Sequence, residues 1–109
     1  MEARKRKIEN YISPPPQNRD CFQYWLRSVR DHTAKQAIRL RLNRVEQGNF
    51  GDCRPVGGGV HELRVDVGQG YRIYFGEDGD TVVLLGGSRK GDQEAQIKIA
   101  KERWSDYNA

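Results

Sequence analysis

Between His61 and Tyr74, side chains able to hold an anion or move a proton recur at every second position. Leu63, Val65 and Val67 alternate with Glu62, Arg64 and Asp66, and Tyr71, Ile73 and Phe75 then alternate with Arg72 and Tyr74. Successive strand residues point to opposite faces, so a hairpin turning at Gly68-Gln69-Gly70 gathers Glu62, Arg64, Asp66, Arg72 and Tyr74 into one polar patch. The expected cross-strand pairs are Asp66 with Arg72 and Arg64 with Tyr74. Two readings of the patch stand side by side: cross-strand pairing on a solvated sheet face, or a site where fixed guanidinium groups hold an anion.

Downstream, Ser88-Arg89-Lys90-Gly91 brings two more cations to a strand end, ahead of a helix N-terminus that itself favours an anion. Glu62 is the best-placed candidate base and equally an ion-pair partner for a neighbouring arginine. His61 shares a strand side with Leu63, which suits a core or edge histidine better than a catalytic one. Tyr74 is the one late aromatic directed at the charged patch, while Tyr71, Phe75 and Trp104 fall on apolar stripes. Cys21 and Cys53 have neither CxxC nor Cys/His spacing, and no His/Cys/Asp/Glu cluster has ligand spacing, so neither a disulfide nor a metal or other cofactor is expected.

The 109 residues, 36% of them hydrophobic, suffice for one core, so residues 1–109 are expected to form one domain. No apolar run approaches the roughly 20 residues of a membrane span, and the charged start has no signal-type apolar segment behind it. A cytoplasmic protein without membrane contact is the expectation. Net charge is +4 and unevenly spread: residues 1–55 hold 12 Lys/Arg against 6 Asp/Glu, and residues 56–109 hold 7 against 9. A basic first half suits RNA, DNA or an acidic protein, or is simply a solvated surface.

The elements that position the patch follow from periodicity. Lys7 to Ile12 reads as a weak strand, stopped by Pro14-Pro15-Pro16. Phe22, Trp25, Leu26 and Val29 have the i, i+3, i+4, i+7 spacing of a helix over Asp20 to Arg30. Thr33 with Gln36 fits a capping box for a second helix with stripe Ala34, Ile38, Leu42 and Val45, ended by Gly48; His32 falls in the turn between the two. Asn49 to Gly59 is dense in Gly and Pro and reads as a loop. The hairpin follows, then a turn at Gly76 to Asp80, then Thr81 to Leu85 as a central strand closed by Gly86-Gly87. From Asp92, the positions Gln93, Ile97, Ala100, Trp104 and Tyr107 mark a last helix. The fold class is α+β: a strand, a helical hairpin, a three-stranded antiparallel portion and a C-terminal helix, with the helices packed on one antiparallel sheet.

Element order and residues together resemble the RelE/ParE superfamily of toxins, nearest its HigB-like addiction module killer branch. That branch carries GNFGD, PVGxGVxELR, GxGYRxYF and a later GG with KxxQ. These stand here as Gly48 to Asp52, Pro55 to Arg64, Gly70 to Phe75, Gly86-Gly87 and Lys90 to Gln93, and Phe22, Trp25 and Leu26 match an FxxWL helix. Where the branch usually reads GGDK, this chain has Gly87-Ser88-Arg89-Lys90, and Gln96 or a neighbour occupies the region where some relatives carry a tyrosine.

The resemblance implies a RelE-like fold, a cognate antitoxin, small and helix-turn-helix, and action on the ribosome and messenger RNA as an endoribonuclease without metal. It implies catalytic roles for Arg72, Arg64 and Lys90; the placement of the residues adds Glu62 to the catalytic set and Arg89, Tyr74 and His61 as RNA contacts. Arg72 is expected to point outward, so that truncating it would remove charge without opening a cavity. Two alternatives accompany this reading: a ParE-like inhibitor of gyrase acting by contact, and an inactive toxin fold serving as an antitoxin's partner.

Overall fold

Three prolines after the first strand force the chain off the sheet, and two aspartates restart it as helices. In the computed structural model, which describes residues 4–109, the order is β1 (Lys7–Asn10), α1 (Cys21–Ser28), α2 (His32–Glu46), β2 (Cys53–Gly57), β3 (Val60–Val65), β4 (Tyr71–Asp78), β5 (Thr81–Arg89) and α3 (Gln93–Tyr107). The Asp20 side chain accepts from the Gln23 amide at 3.0 Å and Asp31 from the Ala34 amide at 3.2 Å, each filling one of the free amides of a first turn. Asp31 thus caps α2 in place of the expected Thr33, and His32 is the first helical residue.

The fold is α+β with a five-stranded mixed sheet ordered β1-β5-β4-β3-β2. β1 lies parallel to β5 and the other pairings are antiparallel, where an all-antiparallel sheet was expected. β2 corrects the loop reading of Asn49 to Gly59: it pairs with β3 as an edge strand, where Pro55 costs no interior ladder bond, a bulge between Pro55 and Gly57 takes up Val56, and Gly58-Gly59 turn the chain into β3. β5 runs through Gly86-Gly87 to Arg89 instead of closing there. No helix among the described residues is long and apolar enough to cross a membrane.

Helices cover both sheet faces, not one. Leu63, Val65, Tyr71, Ile73, Phe75, Val82 and Leu84 face Phe22, Leu26, Ala34, Ile38 and Val45 of the α1–α2 hairpin. Val60, Tyr74, Val83 and Leu85 face Ala100, Ile97 and Trp104 of α3. Each face is keyed by a tryptophan lying on a glycine. A Cβ on Gly87 would sit 2.4 Å from the Trp25 ring, and one on Gly76 would sit 2.5 Å from that of Trp104. No larger residue admits that approach without displacing an indole.

Candidate functional site

The hairpin that carries the patch pairs Arg64 with Arg72 and Glu62 with Tyr74, two residues away from the expected register. The loop from Asp66 to Gly70 is longer than the three-residue turn read from sequence, with Gly68 and Gly70 both at positive φ and the Gly70 amide bonded to the Val67 carbonyl at 3.0 Å. A two-residue shift leaves every side chain on its original face. The patch therefore survives with its partners exchanged.

Two arginines now stand directly opposite one another, an arrangement that repels unless carboxylates intervene. Asp66 Oδ1 accepts from Arg72 Nη1 at 3.1 Å, and Glu62 Oε1 lies 3.6 Å from Arg64 Nε. Glu62 also accepts from Arg54 Nε at 3.0 Å and, through Oε2, from Gln93 Nε2 at 3.2 Å. Its side chain is 0% exposed. Burial alone would raise the pKa of such a carboxyl, but the bonds from Arg54 and Gln93 and the charges of Arg54 and Arg72 outweigh it and hold the group below its ordinary value. Glu62 is an ionised anchor.

Arg72 corrects the expectation of an outward-pointing side chain. It is 7% exposed, its Nη1 also donates to the Tyr71 carbonyl at 2.9 Å, and its buried Nε has no hydrogen-bond partner among the described residues. Truncating it would open a cavity and return Asp66, 66% exposed, to solvent without its ion-pair partner. Arg64 is 36% exposed, reaching Asp52 at 4.0 Å, while its carbonyl accepts from Arg41. Lys90 is exposed and joins the row: its amide donates to the Gly70 carbonyl at 3.0 Å, and Lys90 Cβ and Arg72 Nη1 flank Gly70, at 3.2 and 3.8 Å from where a Cβ would sit.

The remaining expected residues divide. Tyr74 lies on this face but is buried, its hydroxyl 2.9 Å from the Ser88 hydroxyl; burial, with Glu62 nearby, pushes its pKa up to about 12. It presents no ring to solvent. His61 is on the opposite face, stacked on Phe75 at 5.3 Å, because it pairs with Phe75 in register. Arg89 pairs with Tyr71, so it leaves from the hairpin side and lies 3.7 Å from Asp92. Neither joins the Arg64–Arg72–Lys90 row.

Sequence reading missed Arg54, Gln93, Ser88 and Arg41. Arg54 was hidden in the Gly/Pro stretch whose strand went unread, and Ser88 in a strand ended too early. Arg41 Nη2 donates to the Phe50 carbonyl at 2.9 Å, fixing the loop before β2, and burial lowers its pKa. Its only signal was a guanidinium on a helix beside the apolar stripe. The assembled site holds Arg54, Arg64, Arg72 and Lys90 against Glu62, Asp66 and Asp52, beside the first residue of α3. Such an arrangement can hold an anion and orient the cations that touch it.

No family model matches the chain. Over 81 residues it is 44% identical to a protein of Haemophilus influenzae (strain Rd) described as an uncharacterized protein, an alignment covering 73% of this chain and 82% of that relative. At that identity and coverage, the chain belongs to the same family as this Haemophilus influenzae protein.

Proposed function

We propose that this chain is the toxin of a toxin–antitoxin pair, a ribosome-dependent endoribonuclease that cuts messenger RNA and is neutralised by a small antitoxin. The observation that carries this reading is the row Arg64–Arg72–Lys90 on one sheet face, beside the ionised Glu62. In RNA cleavage by the neighbouring 2′-hydroxyl, the 2′-oxygen gives its proton to water and bonds to phosphorus, the P–O5′ bond breaks, the leaving 5′-oxygen takes a proton from water, and a cyclic phosphate remains. Negative charge gathers on the phosphoryl oxygens between those events, and fixed cations stabilise it. Arg64 and Lys90 reach solvent and meet the phosphate, while Arg72 adds its charge from beneath. Glu62 is a positioning residue, since a carboxyl held below its ordinary value is a weak base at neutral pH.

Inducing the gene alone and mapping transcript ends tests this. The expected result is growth arrest with new ends at ribosome-occupied codons, lost when Arg64→Ala and Lys90→Ala are combined. Losing such contacts should slow cleavage about a hundredfold or more, the loss typical of one transition-state donor worth about 2.7 to 4 kcal/mol. Unchanged cleavage by that variant overturns the assignment. A second reading, inhibition by contact alone as in ParE-like toxins, is favoured by one observation: the Tyr74 hydroxyl is closed in by Ser88 and Glu62 is engaged by Arg54 and Gln93, so neither is poised for proton transfer. Arrest with intact transcripts and broken DNA would select it.

A further inference from the structure

β1 covers only half of its neighbour. It pairs with β5 from Thr81 to Leu84, and the Tyr11 amide closes on the Leu84 carbonyl, yet β5 continues to Arg89. Beyond the irregularity near Leu85, the Lys90 amide donates to the Gly70 carbonyl, which makes Gly70 and Lys90 a hydrogen-bonded pair. Alternation then assigns Ser88 and Gly86 to the bonds with β4. The amide and carbonyl of Gly87 and the amide of Arg89 must point the other way, to the side β1 leaves uncovered. The Arg89 carbonyl accepts from the Asp92 amide, and the Leu85 carbonyl accepts from Arg103 at 2.7 Å.

This stretch of edge runs along a cleft of about 1230 Å³, walled by Trp25 and Ser28 of α1 and by Ala95 and Lys98 of α3. An unpaired strand edge is a template for another extended chain, and main-chain bonding is how such a chain gains affinity. We propose that an extended, acidic segment of a partner protein adds to β5 at Gly87 to Arg89, in line with β1. The unpaired backbone groups select an extended polypeptide, because RNA offers no alternating amide donors and carbonyl acceptors at strand spacing. Charge selects acidic side chains: the cleft-lining cations Arg30, Lys98 and Arg103 form no ion pair among the described residues and outnumber the one lining acid that is neither paired nor capping, Glu94, whereas Asp31 is spent capping α2 and Asp92 already pairs with Arg89. Trp25 and Tyr71 offer an apolar contact between the charges. This docking is independent of the phosphate row, and its test reads no cleavage.

Amide hydrogen exchange followed by NMR reads the edge directly. In the free protein, Gly87 and Arg89 amides should exchange at least about tenfold faster than that of Ser88. A small set of octapeptides alternating valine with glutamate, varied in register, should slow both by about tenfold or more. Backbone N-methylation of the peptide should abolish the slowing, and Arg30→Glu with Lys98→Glu should weaken binding by at least about tenfold. Protection of Gly87 and Arg89 in the free monomer, or no slowing by any peptide of the set, overturns the proposal. Protection that rises with protein concentration alone assigns the edge to a second copy; slowing by oligouridylate in place of the peptides assigns the cleft to RNA; equal slowing by valine–lysine peptides removes the acidic requirement. Each of these three also overturns it.

Discussion

On the hairpin side of the sheet, Phe22, Leu26 and Ile38 meet Leu63, Ile73 and Phe75 in an apolar cluster. On the α3 side, Glu62, Arg72 and Ser88 are buried beside Val60, Tyr74 and Val83. These three are all of the buried polar or charged residues among the described ones. Apolar contact is non-directional and scales with area, so the first face accepts any arrangement that fills the volume. Buried charges are satisfied only by particular partners at particular distances. One face therefore supplies most of the stability, and the other fixes the geometry of a few side chains.

The largest expected effect lies on the apolar face. Phe22→Ala should cost about 3 to 5 kcal/mol, the usual range for emptying a packed aromatic site, read by urea unfolding at pH 7. Growth arrest per folded molecule should be unchanged. A cost below that of the charged-face variants would break the division of labour between the faces.

Glu62→Gln should come second, at about 1 to 3 kcal/mol, because Arg54 and Arg64 lose a charged partner but both reach solvent. Its pH dependence sharpens the comparison. The folded-state value lies below the ordinary 4.5, so the stabilisation is present above 4.5 and disappears as pH falls through the lowered value. Parent and variant should thus converge in acid. A gap that stays constant down to pH 2 would show that Glu62 is not held ionised.

The smallest effect is expected from Tyr74→Phe, which removes the bond to Ser88 at about 0.5 to 1.5 kcal/mol. Tyr74 is raised from 10.0 to about 12, so its share of stability is complete below pH 10 and is lost as pH rises toward 12. The variant should lose less stability over that interval than the parent. Some alkaline loss should remain, because Tyr11 is likewise pushed up to about 12 by burial and its 2.6 Å bond to Asp106. Identical alkaline profiles would mean that Tyr74 is open to water.

Much of the scaffold was legible because it is local. The stripe from Phe22 to Val29, the alternation from Glu62 to Tyr74 and the spacing from Ile97 to Tyr107 each report which side of an element is apolar, and all three lie as read. β2 was not legible, since Pro55 and the adjoining glycines oppose a strand on local grounds and only the partner β3 makes Cys53 to Gly57 one. The capping residue of α2 was misread for a related reason: Asp31 and Thr33 both suit a cap, and the entry of the chain from α1 decides between them.

The amino-acid sequence by itself determined the α+β class, the side of the sheet on which Glu62, Arg64, Arg72 and Tyr74 lie, and the apolar stripes that must be covered, because each depends on side-chain direction along a single element. Tertiary structure alone decided who touches whom. It set Arg64 opposite Arg72, brought Gln93 across 31 positions of sequence to Glu62, buried Arg72 and stacked His61 on Phe75. A pattern of period two carries the face of a residue but neither its register nor what lies above it, and those follow from loop length and from which helix covers which face.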